Sequence, residues 1–294
     1  MKKGFLYILL TAVVFTTLEP VSKLISVQIS PMSMTFLRFF IGGLILIPFA
    51  VAEMKKKQIH LDGKDYVRMA LLGVLCICIS MVLLQYAVLK ADSPALIAIV
   101  FSSNSVFTIL FAAVFLKERI TWIKVVSVCL CAAGVLVSAD LSSSTNLYSI
   151  VLSILSALTF SLYTVMSKKY ANKVSGVIST GFSFFFGSMV LLLVLILMGI
   201  PVVQGIDHYS LPILLYLGIV VTGIGYWSYF RAMEKSSAMA ASFVFFIKPV
   251  LTPFAAFIIN GIVPQGRVFI AMILVVAGSV LAVGIPKDVT REYE

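Results

Sequence analysis

The sequence predicts an all-α polytopic membrane protein with ten transmembrane helices, arranged as two inverted five-helix repeats with both termini in the cytoplasm. Three observations lead to this fold class. The 294 residues are 61% apolar and 12% charged, with a mean hydropathy of +1.11, which leaves too few polar side chains to cover a soluble domain. Apolar runs of about 20 residues, the length of a spanning helix, recur between short polar joints. The two halves of the chain also resemble each other.

The apolar runs define the predicted spans. Their limits are 5–27, 32–52, 66–89, 93–116, 122–139, 147–168, 176–198, 210–231, 237–259 and 264–285. The first run imitates a signal peptide, but no small residues mark a cleavage site after it, so we expect it to stay as the first helix. The charged joint 53–65 is long enough to lie along the membrane surface.

The basic residues indicate the orientation. When the joints are assigned alternately to the two sides, one side receives Lys2, Lys3, Lys55, Lys56, Lys57, Lys64, Arg68, Lys117, Arg119, Lys124, Lys168, Lys169, Lys173, Arg231, Lys235, Lys287 and Arg291. The other side receives Lys23, Lys90 and Arg267. Because cytoplasmic joints carry the excess of Lys and Arg, both termini are predicted to face the cytoplasm. The predicted location is the cytoplasmic (inner) cell membrane, which the chain crosses several times. The net charge of +10 therefore indicates topology in a lipid bilayer and not a nucleic-acid partner.

An offset of about 145 residues relates the two halves. It aligns 12–23 with 157–168, which sets Phe15 over Phe160, and it aligns 38–42 with 183–187. An offset of about 143 aligns Tyr86 with Tyr229. The predicted repeats are residues 1–145 and 146–294. Five helices in each repeat force the second to enter the membrane from the opposite side, an arrangement typical of secondary transporters.

Two stretches carry a family resemblance. They are Tyr86-Ala-Val-Leu-Lys-Ala-Asp-Ser-Pro-Ala-Leu-Ile-Ala, and Phe115-Leu-Lys-Glu-Arg-Ile followed by Gly134-Val-Leu-Val. With the ten spans and the duplication, they resemble the EamA family of the drug/metabolite transporter superfamily over nearly the whole chain. The resemblance implies a basket of helices in which spans four and nine, with their neighbours, line a central cavity while spans five and ten pack behind. The second half departs from the pattern, because Asn260 and Gly261 stand where the first half has Lys117 and Glu118.

Lys248 is the first candidate for function. It stands about eleven residues, or roughly 17 Å, inside span nine. A charge near the bilayer centre costs roughly 2.5–3.5 kcal/mol and usually faces a bundle interior or a wet cavity. Pro249 and Pro253 each remove a backbone donor, so they are predicted to kink or open the helix beside Lys248, and Pro20 weakens span one in the same way. The alternative is a structural lysine bonded to carbonyls or to a buried carboxylate.

Glu19 and Arg38 are further charges within the predicted spans. Two kinds of partner compete for Glu19: Lys23, at i+4 on the same face, and Lys248 or Arg38 across a cavity. In the second case Glu19 would take up a proton or balance the cavity charge. Arg38 offers a planar fork that suits the carboxylate of Glu19 or of a substrate. Its alternative is to snorkel to the outer head groups.

Polar and aromatic side chains complete the predicted site. Asn104 and Ser105 lie on span four, and Ser105 is the repeat counterpart of Lys248. Each such residue alone is more often interhelical glue than a ligand. The predicted substrate-binding set is Lys248, Glu19, Arg38, Ser105, Asn104, Tyr86, Tyr229 and Trp227.

The sequence predicts no catalytic residue, metal or cofactor. The four cysteines lie inside apolar runs without an accompanying histidine, and neither a phosphate-binding loop nor a His-Glu-x-x-His motif occurs. The predicted function is a secondary-active exporter of small metabolites, such as amino acids or other carboxylate-bearing compounds, by alternating access around a midplane cavity. A membrane-embedded enzyme or lipid-handling protein acting at a leaflet, and a non-transporting scaffold, stay open as alternatives. The sequence leaves both a monomer and a homodimer open.

Overall fold

The computed structural model describes residues 2–115, 122–138, 144–171, 174–235 and 244–283, which form helices joined by short turns, with no β-strand among them. We number the helices in chain order and give an interrupted helix one label. The first five are α1 (Lys2–Thr16 and Leu18–Ile25), α2 (Pro31–Lys57), α3 (Gly63–Gly73, Val74–Met81 and Val82–Lys90), α4 (Pro94–Ser102 and Asn104–Phe115) and α5 (Trp122–Ser138). The others are α6 (Ser144–Ala171), α7 (Gly176–Leu197), α8 (Ser210–Leu215, Tyr216–Ile224 and Gly225–Lys235), α9 (Val244–Asn260) and α10 (Gly266–Val283).

Seven helices in the described part of the chain are long and apolar enough to cross a membrane. They are Leu6–Ile25, Pro31–Lys57, Gly63–Lys90, Pro94–Phe115, Leu147–Tyr170, Gly176–Leu197 and Ser210–Tyr229, whereas Ile247–Asn260 and Gly266–Gly278 are shorter apolar helices. The outer surface fits lipid, since the apolar side chains of Leu197 and Ile258 are 77% and 79% exposed. The chain is thus an all-helical polytopic membrane protein, while the count of ten spans and their orientation stay predictions.

The second helix extends into the charged joint that separates predicted spans two and three. It continues to Lys57, where Lys57 and Glu53 form a 2.6 Å ion pair at the i,i+4 spacing that stabilises a helix. The helix ends at Gln58, which adopts a left-handed conformation with a φ of 51°. Lys117 and Glu118, the helix-end pair of the family resemblance, lie outside the described residues.

The helices of the two halves pack in corresponding pairs. α2 packs along α7, and α5 packs along α10. α1 contacts α8 and α9, and α6, which holds the same place in the second half, contacts α3 and α4. The first part of α3 packs on α7, while the middle of α8 packs on α2. Each of these contacts therefore has a counterpart between the equivalent helices of the other half.

Each half also contains one helix with a π-helical stretch in its middle. These stretches are Val74–Met81 in α3 and Tyr216–Ile224 in α8, and they lie about 143 residues apart, the offset that aligns Tyr86 with Tyr229. Single π-helical turns are often found at functional sites, because the extra residue displaces the neighbouring side chains. Both stretches contribute residues to the cavity described below.

Candidate functional site

An ion pair between Glu19 and Lys248 lies at the centre of the candidate site. Lys248 Nζ donates to Glu19 Oε1 at 2.6 Å, and the two side chains are 3% and 0% exposed. Glu19 belongs to α1 and Lys248 to α9, so the pair joins the first half of the chain to the second. Of the partners predicted for Glu19, the structure therefore selects Lys248.

Lys23, the competing partner, caps another helix. Its Nζ donates to the main-chain oxygens of Val88 (3.1 Å), Leu89 (2.9 Å) and Ala91 (2.6 Å) at the end of α3. A lysine at this place stabilises the last carbonyls of a helix and their partial negative charge. Lys23 therefore holds the end of α1 to the end of α3.

The helix that carries Glu19 is interrupted immediately before it. α1 breaks at Thr17, whose Oγ1 donates to Val14 O at 2.8 Å, and Pro20 supplies no N–H to the turn that follows. Asn260 Nδ2, at the end of α9, donates to Pro20 O at 3.0 Å. The short segment Leu18–Ile25 is thereby tied to α9 near both Glu19 and Pro20.

Around Lys248, by contrast, the helix is continuous. α9 runs through Pro249 and Pro253 without interruption, so the predicted opening beside the lysine is not seen, while the predicted kink stays a prediction. Thr252 Oγ1 donates to Lys248 O at 2.7 Å. α9 packs against α1 and α4.

Arg38 is fully buried and faces the site. Arg38 is 1% exposed, which excludes the alternative that its side chain extends to the outer head groups. Nε and Nη1 have no hydrogen-bond partner among the described residues, and the guanidinium carbon lies 4.7 Å from the centre of the Phe39 ring. Buried donors are nearly always satisfied by protein groups or by ordered water, so these two N–H groups are available to a further partner.

Arg38 and Lys248 line one small cavity between the two halves. Its water-accessible volume is about 20 Å³, enough for about one water molecule. Lys248 Nζ lies 5.3 Å from the centre of the Phe101 ring, within cation–π range. The lining is otherwise largely apolar and consists of Phe15, Leu18, Arg38, Met81, Leu84, Phe101, Phe160, Val221, Thr222, Tyr226, Phe245 and Lys248.

The aromatic lining was missed by the sequence analysis. Phe160 lies between Phe101 and Phe245, with ring centres 5.4 Å and 6.4 Å away, and Phe15 lies 5.1 Å from Tyr226. A signal was present, because the 145-residue offset aligns Phe15 with Phe160. Nothing in the periodicity separated these two from the many phenylalanines that face lipid or core.

Tyr86 of α3 and Asn104 of α4, two of the predicted site residues, are not among the described residues that line the cavity. Asn104 is 4% exposed, and its main-chain oxygen accepts a 2.6 Å hydrogen bond from Ser161 Oγ. Asn104 Nδ2 has no partner among the residues that the structure describes. Tyr86 is half-buried and packs on the main apolar core. The side chain of Ser105 lies outside the described part of the chain.

The two predicted aromatic residues of α8 differ in position. Tyr229 lies directly behind the lining, with its ring 6.4 Å from that of Phe15 and 5.7 Å from that of Phe245. Trp227 packs elsewhere, 5.7 Å from the ring of Tyr7 and 6.0 Å from that of Phe49. The structure thus brings Lys248, Glu19 and Arg38 together, with Tyr229 behind them, and does not bring Trp227 to the cavity.

A bundle of apolar helices whose buried charges meet between its two halves is the architecture of a multi-pass membrane transporter. Residues 2–139 and 147–284 each match the EamA-like transporter family. The chain belongs to this family, and the predicted resemblance is confirmed.

Individual relatives carry similar descriptions. An uncharacterized transporter of Clostridium kluyveri is 37% identical over 96% of this chain and 93% of the relative. The uncharacterized transporter YyaM of Bacillus subtilis is 22% identical over 90% of this chain and 88% of the relative. A solved structure, described only as the crystal structure of a protein, shares the fold with a TM-score of 0.69 and 20% identity, over 96% of this chain and 97% of the other. These names indicate a transporter rather than an enzyme.

Proposed function

We propose that this chain is a secondary-active transporter of small carboxylate-bearing metabolites, amino acids among them, in the cytoplasmic membrane. Arg38 carries this proposal, because it lines the same cavity as Lys248 and two of its donor atoms have no partner within the described part of the chain. Glu19 neutralises the charge of Lys248. The guanidinium of Arg38 therefore gives the site one surplus positive charge. A guanidinium fork in an apolar enclosure favours a carboxylate over a neutral group.

The rest of the lining suggests the other end of the substrate. Phe15, Phe101, Phe160 and Phe245 surround the two cations, and burial of apolar area against such rings contributes roughly 25 cal/mol per Å². A carboxylate with an apolar side chain therefore fits this enclosure better than a sugar or a nucleoside does. An amino group on the substrate would find Glu19, whose Oε2 has no hydrogen-bond partner among the described residues.

Transport would proceed by alternating access of two inverted repeats, residues 1–145 and 146–294. The double family match, the exchange of helix contacts between the halves and the paired π-helical stretches support this division. A cavity of about 20 Å³ is too small for a metabolite, so binding requires the two halves to separate, which breaks or displaces the Glu19–Lys248 pair. The export direction follows from the family resemblance and not from the geometry.

Ligand-induced stabilisation of the purified protein tests the proposal. A ligand at 100 times its Kd stabilises the folded state by about 2.7 kcal/mol, so binding is detectable as a rise in the Tm. Each carboxylate is compared with its own decarboxylated amine, for example leucine with isopentylamine. We expect the acids to raise the Tm and the amines to have no effect. Arg38→Gln should abolish the shift, while Lys90→Gln, an exposed lysine outside the cavity, should keep it. Stabilisation by nucleosides or lipids without any carboxylate effect would favour the enzyme or lipid-handling alternative.

A further inference from the structure

A second pocket lies at one end of the bundle and shares no lining residue with the central cavity. The last turns of α2 and α8 form it, and its water-accessible volume is about 330 Å³. We call it the corner pocket, and its lining residues are Phe49, Ala52, Glu53, Lys56, Lys57 and Arg231. The excess of basic residues at this end of the bundle assigns it to the cytoplasmic side.

The corner pocket is basic where it opens to water. Three of its lining side chains are cations, those of Lys56, Lys57 and Arg231, against the single carboxylate of Glu53. Glu53 is already engaged, since its Oε1 lies 2.6 Å from Lys57 Nζ. Among the described lining residues the formal charges therefore sum to a positive value, and lysine and arginine together suit the oxygens of a phosphate group.

One wall of the corner pocket is aromatic. The side chain of Phe49 is 43% exposed and its ring lies 6.0 Å from that of Trp227. The guanidinium carbon of Arg231 lies 5.8 Å from the centre of the Trp227 ring, which positions this cation at the edge of the aromatic wall. Aromatic rings in this position lie at the level of the lipid head groups. A ligand in the pocket would thus meet both cations and apolar surface.

We propose that the corner pocket binds an anionic phospholipid of the cytoplasmic leaflet. Lys56 and Arg231 hold the headgroup phosphate, and an acyl chain lies along Phe49. Basic pockets between helices on the cytoplasmic side are the sites that anionic head groups occupy. A free phosphate shares the headgroup chemistry but leaves the aromatic wall without a contact. The site is independent of the proposed transport function.

Native mass spectrometry of the full-length protein in neutral detergent tests this lipid site. Phosphatidylglycerol, phosphatidylcholine and glycerol phosphate are offered in turn. We expect phosphatidylglycerol to bind, and phosphatidylcholine and glycerol phosphate to bind at least tenfold more weakly. Lys56→Gln should lower the affinity for phosphatidylglycerol about fivefold, and Lys56→Gln with Arg231→Gln about 25-fold. Lys90→Gln, an exposed lysine outside both pockets, is the matched control and should change nothing.

Contact with the aromatic wall distinguishes a phospholipid from a free phosphate. Phe49→Ala should weaken phosphatidylglycerol binding several-fold while the binding of glycerol phosphate stays unchanged. If the double variant does not fold, Lys56→Gln alone keeps the test decisive, because Lys56 is exposed. Equal binding of phosphatidylglycerol and phosphatidylcholine, or wild-type affinity in Lys56→Gln, would overturn the site. Glycerol phosphate binding as tightly as the lipid would overturn the choice of ligand.

Discussion

Lys248 Nζ donates to Glu19 Oε1 across 2.6 Å, and this buried ion pair connects α9 of the second half to α1 of the first. The attraction within such a pair roughly offsets the cost of taking both charges out of water, whereas loss of one partner leaves an uncompensated charge. We therefore expect the pair to add little net stability. Under the proposed function, a substrate carboxylate would take the place of Glu19 beside Lys248.

Lys248→Met should destabilise the folded protein by about 3 to 5 kcal/mol, because it leaves the Glu19 carboxylate buried without its partner. Lys248→Met combined with Glu19→Gln removes both charges and should recover most of this loss. Thermal unfolding in detergent measures both variants together with Glu19→Gln alone. Losses that simply add in the double variant would show that the two side chains are not coupled.

Gly187 should tolerate no larger residue. α3 and α7 cross at Gly73 and Gly187, and a Cβ on Gly187 would lie 2.6 Å from the carbonyl carbon of Gly73. Since backbone on both sides blocks relaxation, we expect Gly187→Ala to cost about 1 to 3 kcal/mol.

Gly266→Ala is the matched control for this crossing. A Cβ there would meet nothing within 4 Å, and alanine is the better helix former, so the free energy of unfolding should stay equal or rise slightly. Equal losses of stability in Gly187→Ala and Gly266→Ala would argue against the close crossing of α3 and α7.

Lys23→Met should loosen the end of α3. The side chain of Lys23 donates to three main-chain oxygens there, and hydrogen bonds to a charged group contribute about 1.5 to 3 kcal/mol. Hydrogen exchange measured by mass spectrometry should show faster exchange of the amides around Lys90 and Ala91 in this variant. Lys90→Met replaces an exposed lysine of the same turn that makes none of these contacts; it should leave the exchange unchanged, and identical protection in both variants would contradict the cap.

Much of the fold was readable from the sequence because lipid imposes a simple pattern. Each apolar run of spanning length contains helix within the described residues, and the conflict between Lys248 and its apolar surroundings indicated a buried charge. The partner of Glu19 was not readable, since local spacing allowed Lys23 as well as Lys248. The structure resolves this choice by using Lys23 to cap α3, a long-range contact that periodicity does not encode.

The burial of Arg38 and the continuity of α9 were not predictable from the sequence. Depth alone made Arg38 a candidate for snorkelling, and only packing shows it buried, with two donor atoms that no described residue engages. Pro249 and Pro253 lower the number of backbone hydrogen bonds, yet α9 is continuous and packs against neighbouring helices. The aromatic lining escaped detection because phenylalanines in lipid-facing and cavity-facing positions look alike in a sequence.

Uptake of a radiolabelled apolar amino acid, such as leucine, into proteoliposomes tests the central site most directly. The wild-type protein is compared with Arg38→Gln, Lys248→Gln and the control Lys90→Gln, with equal incorporation of all four proteins established first. We expect uptake by the wild type and by Lys90→Gln. Arg38→Gln and Lys248→Gln should each lower the rate of uptake at least tenfold. A factor of ten corresponds to a loss of about 1.4 kcal/mol of binding free energy. Wild-type rates in both Arg38→Gln and Lys248→Gln would contradict a transport site built on these two cations.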